Sequence, residues 1–488
     1  MGAGPCAMKP LFLWCGALLT SLPRAVISVS LCVSGGVQAA DEEAPAMNEI
    51  PSRPVPLFNR WEEDWSALAD ERVPRQPFDD LKYLSLSSID PLVYLSLGAN
   101  VRERFEALNT QAFGTGSNRS DDYLLSRLEL HADLHLGPHV QIFAQLQSDF
   151  APGKAVLTPV DQDRLGMEQA FIAATHTLAG GTLTVRLGRQ EIAFDLQRFI
   201  SVRDGPNVRQ SYDAAWVEFA RGDWHVVALF AHPVQNRDAS PFDDYSGPRL
   251  SHGGAKVVWQ VSSAASVSAT WAHYIRKHAN FGAATGEESR DILDTHASGN
   301  TEHIDWDVEA MNQSGSFGNQ IVRAWGLGSL AGYTIPALPW TPRVGFQLDA
   351  ASGNKDPNGH TLGTFNPLFP NGGYETLSGL TGYINFVHAK GSVTVQPTNT
   401  LKVLIAGATL WRETTADAIY IQPNIPVANT AGRGGRYTGT YSEVRLDWQL
   451  TPNTAFALEA DHFAIGEAIR QAGGHDTDYL GVEVSLKW

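Results

Sequence analysis

Cysteine is scarce in this sequence. The chain has 488 residues and three cysteines, Cys6, Cys15 and Cys32, all of which precede residue 40. The rest of the chain therefore cannot form a disulfide bond, supply a thiolate nucleophile or hold a cysteine-ligated metal. Disulfide staples, which stabilise many secreted domains, are excluded as a source of its stability.

Long apolar runs and basic charge are also in short supply. After residue 40 there is no stretch of about 20 mainly apolar residues, which excludes a bundle of membrane-spanning helices. Lysine and arginine number 36 against 52 aspartates and glutamates, giving a formal net charge of −16. This balance excludes a nucleic-acid binder, which needs a basic surface to neutralise phosphates. An aromatic content of 10% argues against intrinsic disorder.

The N-terminus has the features of a secretory signal peptide. Lys9 precedes the apolar run Leu11–Leu19, and the segment closes with small residues at Val37 and Ala39. A basic start, an apolar stretch and small residues before the cleavage point are typical of such a leader. We predict cleavage after Ala39, with Ala40 as the alternative site and an uncleaved membrane anchor as the alternative structure.

From residue 94 onward, apolar and polar residues alternate with the period of a β-strand. In Leu124–Leu136 one face is leucine and alanine, whereas the other carries arginine, glutamate, histidine and aspartate. The same alternation occurs in Tyr94–Glu106, in Thr182–Gln190 and up to the final residue in Leu480–Trp488. The charged faces are too polar for a packed interior, so one side of the sheet must contact water. The opposite faces consist almost entirely of apolar residues, so they can contact lipid.

Short and long connections separate these strands. Turns such as Gly137-Pro138 alternate with long polar stretches such as Ala279–Thr301 and Ser352–Ser378. This alternation is typical of a bacterial outer-membrane barrel, with tight periplasmic turns and long extracellular loops. About seventeen strand candidates and the even strand number of such barrels predict an all-β, single transmembrane antiparallel barrel of eighteen strands, with sixteen as the alternative.

The predicted organisation has three parts. Residues 1–39 form the signal peptide, residues 40–93 a periplasmic N-terminal segment and residues 94–488 the outer-membrane barrel. We expect the acidic residues to lie mainly in the loops and in the N-terminal segment. The negative sum over the chain therefore does not exclude an anion channel, because selectivity depends on the local potential of the lumen.

Four groups of motifs occur in a fixed order along the chain. They are Arg60–Trp65 with Leu81–Tyr83 and Arg102–Glu106, Gly188–Glu191 with Phe199–Arg209, Gly363–Pro370, and the closing strands around Thr451-Pro452. Each motif is weak alone, but their order is specific. Over nearly all of the mature chain, the sequence resembles the alginate-export family of outer-membrane proteins.

The resemblance implies an eighteen-stranded barrel whose lumen carries a basic selectivity constriction for an anionic polyuronate. Arginine suits this task because its planar donor fork binds carboxylates and stays charged at every relevant pH. The irregular segment Gln197–Tyr212 is predicted to fold inward and narrow the pore. The candidate residues for substrate binding in the lumen are Arg102, Arg104, Arg127, Arg189, Glu191, Arg203, Asp204 and Arg209. The alternative role for these arginines is to form ion pairs that brace a wide barrel.

We therefore predict a channel in the bacterial outer membrane that passes an anionic, alginate-like polysaccharide. A general porin for small solutes or hydrophobic compounds is the alternative, and an outer-membrane phospholipase is the enzymatic rival. The sequence contains no G-x-S-x-G elbow, HExxH zinc motif or phosphate-binding loop, so we predict no catalytic residue, metal site or cofactor. The expected partners are the polysaccharide, outer-membrane lipid and lipopolysaccharide, the barrel-insertion machinery and a periplasmic export partner, with no nucleic acid.

Overall fold

Eighteen long antiparallel strands build the molecule. The computed structural model describes residues 50–115, 120–281 and 284–488, so the predicted signal peptide and its cleavage site lie outside the described residues. The strands are β1 (Val93–Leu108), β2 (Asp121–Leu136), β3 (Val140–Phe150), β4 (Asp163–Leu178), β5 (Gly181–Glu191), β6 (Ser211–Arg221), β7 (Trp224–Pro233), β8 (Leu250–Ser262), β9 (Ala265–Phe281), β10 (Ala284–Asn300), β11 (Ile304–Phe317), β12 (Gln320–Thr334), β13 (Arg343–Ala351), β14 (Phe386–Thr398), β15 (Leu401–Trp411), β16 (Tyr437–Thr451), β17 (Thr454–Ile465) and β18 (Thr477–Lys487).

The sheet closes on itself. Each strand pairs with the next along the chain, and β1 pairs with β18 from Asn100 opposite Lys487 to Leu108 opposite Tyr479. At the end of this seam Ala99 and Trp488 exchange two backbone hydrogen bonds of 3.0 Å. Closure removes the exposed sheet edges, which explains how a chain with no cysteine in its body holds together. The prediction of an eighteen-stranded barrel is confirmed.

The alternation in the sequence separates the two surfaces of the wall. In β2, Leu128 and Leu130 are 39% and 47% exposed on the outside, whereas Arg127 and Glu129 are 3% and 2% exposed on the inside. Successive residues of a strand point to opposite faces, so the apolar set faces outward and the charged set faces the lumen.

One stretch that the sequence indicated to be a loop is part of the wall. Residues 279–281 end β9 and residues 284–300 form β10, which pairs with β9 on one side and β11 on the other. The prediction of a long connection there is wrong because polar lumen-facing residues such as Glu288 and Arg290 hide the strand period. Ile292 on the lumen face and Leu293 on the outer face belong to the same strand.

Three long connections fold back into the lumen. We call them loop A (residues 192–210), loop B (residues 352–385) and loop C (residues 412–436). Loops A and B pack against each other, because the Phe199 ring lies 5.4 Å from the Phe365 ring and 5.3 Å from the Tyr383 ring. The amide of Phe369 in loop B donates to the carbonyl of Phe199 at 2.9 Å. Residues 197–210 fold into the lumen as predicted. The last two residues of the predicted segment, Ser211 and Tyr212, belong instead to strand β6.

The barrel contains a few short elements besides its wall. Loop B carries the short strand Thr361–Leu362, and loop C carries the hairpin Tyr420–Ile421 and Ile425–Pro426. The helical elements are α1 (Asp79–Lys82), α2 (Glu467–Gln471) and the 3-10 turns Arg60–Glu62, Ser66–Ala69 and Gln111–Gly114. Within the described ranges, no helix combines the length and the apolar character that crossing a membrane requires.

The N-terminal segment packs into the end of the barrel that carries the short turns. Arg60 is buried there and donates to the carbonyls of Ala99 at 3.2 Å and Trp488 at 2.8 Å, the two residues of the closing seam. Glu63 accepts from Arg60 at 2.6 Å and from the indole of Trp65 at 2.8 Å. Residues 57–65 therefore lie across this mouth and touch the wall from inside.

Candidate channel constriction

Three arginines from the wall hold the turn of loop A. Arg102 donates to the carbonyls of Asp204 at 2.6 Å and Pro206 at 2.9 Å. Arg127 donates to the carbonyls of Asn207 and Pro206 at 2.7 Å and to the carboxylate of Asp204 at 2.7 Å. The third arginine, Arg104, donates to the carbonyl of Gly205. These contacts fix the turn against β1 and β2, and they bury all three guanidinium groups.

Arg209 extends the same cluster to β5. Its Nε lies 2.8 Å from the carboxylate of Glu191, and its Nη1 lies 3.5 Å from Glu129. Its guanidinium also sits over the ring of Phe58, 4.9 Å from the centroid, and Lys487 faces the same ring at 5.7 Å. The N-terminal segment and loop A therefore meet at Arg209.

Asp204 is the central anion of the cluster. Burial by itself raises the pKa of its carboxyl group, but the guanidinium groups of Arg127, Arg209 and Arg102 outweigh burial and hold that pKa well below its ordinary value. The carboxylate therefore stays charged throughout the pH range in which the cell lives.

The cluster also contains carboxylates that the sequence did not single out. Arg104 lies 2.7 Å from Glu106 and 3.5 Å from Glu483, and Arg127 lies 3.7 Å from Asp149. Carboxylates line other parts of the lumen as well, so the expectation that the acidic residues lie mainly in loops is wrong. The lumenal carboxylates include Glu168, Asp294, Asp307, Glu309, Glu443, Glu459 and Asp461. The strand period could have found some of them, since Asp307 and Glu309 alternate with Trp306 and Val308 in the sequence.

Arg203 lies apart from the other cluster arginines and points toward loop B. It adopts a left-handed backbone conformation with φ of 51°. Its guanidinium donates to the carbonyl of Leu368 at 3.3 Å and lies 5.3 Å from the centroid of the Phe369 ring. Burial lowers the pKa of Arg203. Among the described residues Arg203 forms no salt bridge, which leaves its charge uncompensated.

A second uncompensated arginine, Arg276, was not predicted from the sequence. It follows Ala272 and Tyr274 at intervals of two on β9, so it shares their lumen face, but its side chain is exposed. Its positive charge also contributes to lowering the pKa of Arg203, which places the two groups in one electrostatic environment. No carboxylate in the described part of the chain forms a salt bridge with Arg276. The sequence could have predicted this lumen-facing position, because Arg276 follows Ala272 and Tyr274 at the spacing of one strand face.

Arg189 is the predicted residue that the structure does not bring to the lumen cluster. It is the register partner of Asp213, and the two side chains form a bidentate pair of 2.8 and 3.0 Å. Arg189 follows Leu187 by two residues and so shares its face of the strand, and Leu187 is 56% exposed on the outer surface. Asp213 also accepts from Ser246 in a loop at the long-loop end, so this pair lies on the outward face near that rim.

Two groups of lumenal side chains bring three metal-ligating atoms within 4.8 Å of one another. One comprises Asp349, Glu375 and His388, and the other comprises Asp195, Asp294 and Glu309. The sequence indicated neither, because each group joins residues from three separate segments.

The sequence model of the family described as Alginate export matches residues 93–483. This match covers the whole barrel wall except its last few residues. The chain belongs to the alginate export family. The sequence-based identification is thereby confirmed, and the family places the barrel in the bacterial outer membrane as a channel. A search of curated protein sequences found no match.

Solved structures with the same fold are outer-membrane porins. OccAB1 of Acinetobacter baumannii has a TM-score of 0.55 and 10% identity, over 84% of this chain and 99% of that chain. OccD3 (OpdP) of Pseudomonas aeruginosa has a TM-score of 0.54 and 10% identity, over 84% and 93%. OccK2 (OpdF) of Pseudomonas aeruginosa, solved in complex with glucuronate, has a TM-score of 0.52 and 10% identity, over 80% and 96%. The family and the fold are those of channels rather than enzymes. In such barrels the short turns face the periplasm.

Proposed function

We propose that this outer-membrane channel passes an anionic polysaccharide of the alginate type, a polyuronate. The observation that carries the proposal is the pair Arg203 and Arg276, two lumenal cations without a carboxylate partner among the described residues, next to the junction of loops A and B. A carboxylate on each sugar unit can bind an arginine fork and leave it again, as conduction of a polymer requires. Family membership supports a polysaccharide as the cargo.

The remaining arginines act on the cargo through loop A. These buried arginines donate their hydrogen bonds to loop A and to nearby carboxylates; they are Arg102, Arg104, Arg127 and Arg209. In this proposal they brace the constriction, together with Glu191 and Asp204, and set the position of Arg203. The two roles weighed from the sequence, selectivity and bracing, thus belong to different arginines.

A porin for small solutes is the second candidate function. The carboxylates that face the bracing arginines leave little net positive charge in that part of the lumen, which favours a channel with weak charge selectivity. Passage of an anionic polymer would then rest on lumenal cations without a carboxylate partner among the described residues, such as Arg203 and Arg276.

Conductance across a planar bilayer separates the two functions. We expect oligomannuronate to block the current, and the Arg203→Ala and Arg276→Ala variants to need about tenfold more oligomer for the same block, because each removes one charged contact. Arg164→Ala, an exposed arginine that pairs with Asp238, serves as the matched control and should behave as the parent does. Passage of small neutral sugars together with no block by the polymer would contradict polyuronate transport and support the porin.

The surroundings of the barrel are proposed on the same basis. The outward apolar face fits outer-membrane lipid, with lipopolysaccharide at the rim of the long loops, and the final strand fits recognition by the barrel-insertion machinery. Residues 40–93 would form a periplasmic segment and offer a surface to an export partner at the mouth that they occupy.

A further inference from the structure

Four polar side chains from the wall and from loop B converge at one point inside the barrel. Asp349 on β13 is the register partner of His388 on β14. Gln347 precedes Asp349 by two residues and therefore shares its lumen face. Glu375 reaches the same point from loop B, and Asp349, Glu375 and His388 are all buried.

The spacing of the donor atoms matches a metal polyhedron. Nδ1 of His388 lies 3.1 Å from Oδ2 of Asp349 and 3.1 Å from Oε2 of Glu375. Bonds of about 2.0–2.1 Å from a tetrahedral zinc ion to nitrogen and oxygen place neighbouring ligand atoms about 3.3 Å apart. Both distances from Nδ1 are thus close to the edge of such a tetrahedron, and all three atoms lie within 4.8 Å of one another.

Gln347 supplies a fourth corner. The terminal nitrogen of its amide lies 2.7 Å from Oδ2 of Asp349 and 3.3 Å from Oε2 of Glu375. Rotating the amide by half a turn exchanges its nitrogen and oxygen and presents the oxygen to the same point. The set then offers one imidazole nitrogen and three oxygens.

A second layer of hydrogen bonds orients these donors. Nε2 of His388 lies 2.9 Å from the hydroxyl of Tyr441. The hydroxyl of Tyr374 donates to Oδ1 of Asp349 at 3.0 Å, and the amide of Ser329 donates to the same oxygen at 3.3 Å. Histidines that bind metals characteristically pair their other ring nitrogen in this way, which directs the free nitrogen at the ion.

The protein groups alone leave the cluster incompletely satisfied. The single proton that Nδ1 can carry has two carboxylate oxygens at equal distance. Oε1 of Glu375, on a residue that is 3% exposed, has no hydrogen-bond partner among the described residues. A divalent cation would neutralise both carboxylates, and unpaired buried carboxylates are otherwise costly.

We propose that Asp349, Glu375 and His388, completed by Gln347, bind a divalent first-row metal ion, with zinc as the reference ion. The nitrogen donor and the small number of ligands favour zinc over calcium or magnesium, which prefer larger all-oxygen sets. The ion clips loop B to β13 and β14. Since Phe369 of loop B contacts both Phe199 and Arg203, the clip holds the constriction in place.

The other acidic group, at Asp195, Asp294 and Glu309, serves as an internal comparison. Lys256 and His296 contact Asp195, and Arg198 lies 3.0 Å from Glu309. These cations compensate Asp195 and Glu309, two of the three carboxylates, so this group is not assigned a metal.

Zinc binding to the purified full-length protein tests the proposal. Protein in detergent is stripped with a chelator and titrated with zinc against a chromophoric competitor, and bound metal is counted by mass spectrometry. We expect one zinc ion per chain, and at least about 100-fold weaker binding in His388→Ala and in the nearly isosteric Glu375→Gln. His252→Ala, which removes another buried histidine of the interior, and Asp294→Asn should bind zinc like the parent.

Copper substitution reports the donor directly. The electron paramagnetic resonance spectrum of the copper-loaded protein should show coupling to one imidazole nitrogen, which is lost in His388→Ala. Glu375→Gln changes a loop residue and leaves every strand residue in place, so we expect this variant to form a folded barrel. Heat-modifiable migration in gels checks the fold, and zinc binding is then compared with that of the parent. Failure of the parent to bind one zinc ion, parent-like binding by both variants, or loss of binding in Asp294→Asn would each overturn the assignment.

Discussion

At the scale of single residues, position in the strand period decides what an arginine does. Arg102, Arg104 and Arg127 are predictable as lumen residues because they alternate with outward apolar side chains. The same reasoning, applied to Leu187 two positions earlier, places Arg189 on the outer face, where the structure has it. The partners of these arginines were not predictable. Asp204 and the carbonyls that follow it come from a loop without periodicity, and only folding brings them to β1 and β2.

Arg127 is the residue whose removal should free loop A. It donates to the carbonyls of Pro206 and Asn207 and to the carboxylate of Asp204, and replacement by methionine removes these bonds together with the cation that lies 3.7 Å from Asp149. Removing one partner of a buried ion pair costs about 3–5 kcal/mol. We expect Arg127→Met to accelerate hydrogen exchange in residues 197–210, measured by mass spectrometry, while the strands stay protected.

Arg189→Met provides the matched control for this prediction. It removes an arginine that forms an equally short ion pair, but on the outward face and away from loop A. Exchange in residues 197–210 should be unchanged in this variant. Equal exchange in Arg127→Met and the parent would show that the arginines do not brace the loop.

At the scale of elements, the strands of the wall were predictable from the sequence, whereas the packing of the loops and of the N-terminal segment inside the barrel was not. A period of two is a local property, so the sequence alone indicates strands such as β2 and β18. Loops A, B and C pack by contacts between residues far apart in the chain, such as Phe199 with Phe365. The motif Gly363–Pro370 marked loop B by resemblance, without indicating that it enters the barrel. The N-terminal segment was expected to be periplasmic, with no indication that it enters the barrel; its contact through Arg60 depends on the closing seam between β1 and β18.

Arg60 should control the periplasmic mouth. Its guanidinium links Glu63 to the carbonyls of Ala99 and Trp488, so Arg60→Ala detaches the N-terminal segment from the seam. We expect a larger mean conductance in planar bilayers, because residues 57–65 no longer lie across the opening.

Arg72→Ala is the comparison for the mouth, since Arg72 is exposed and pairs only locally with Asp70. Its conductance should equal that of the parent. If Arg60→Ala conducts like the parent while the segment is released, as shown by faster proteolysis before residue 93, the segment does not obstruct the channel.

At the scale of the whole molecule, a chain with a strongly acidic sum carries a lumen in which most basic groups are already neutralised. The total charge of −16 therefore says little about the cargo. What selects the cargo, in this account, is the position of Arg203 and Arg276 beside the contact of loops A and B. Loop A is held there by the bracing arginines, and loop B by the four-residue cluster at His388. In this account the wall supplies the frame and Arg276, and loop A supplies Arg203.

The most direct test of this account is the release of labelled oligouronate from proteoliposomes that contain the full-length protein, compared with a neutral oligosaccharide of equal length. If Arg203 and Arg276 select an anionic polymer, the oligouronate should leave faster than the neutral oligomer, and the Arg203→Ala, Arg276→Ala double variant should remove that preference. Equal or faster release of the neutral oligomer by the parent protein would contradict the account.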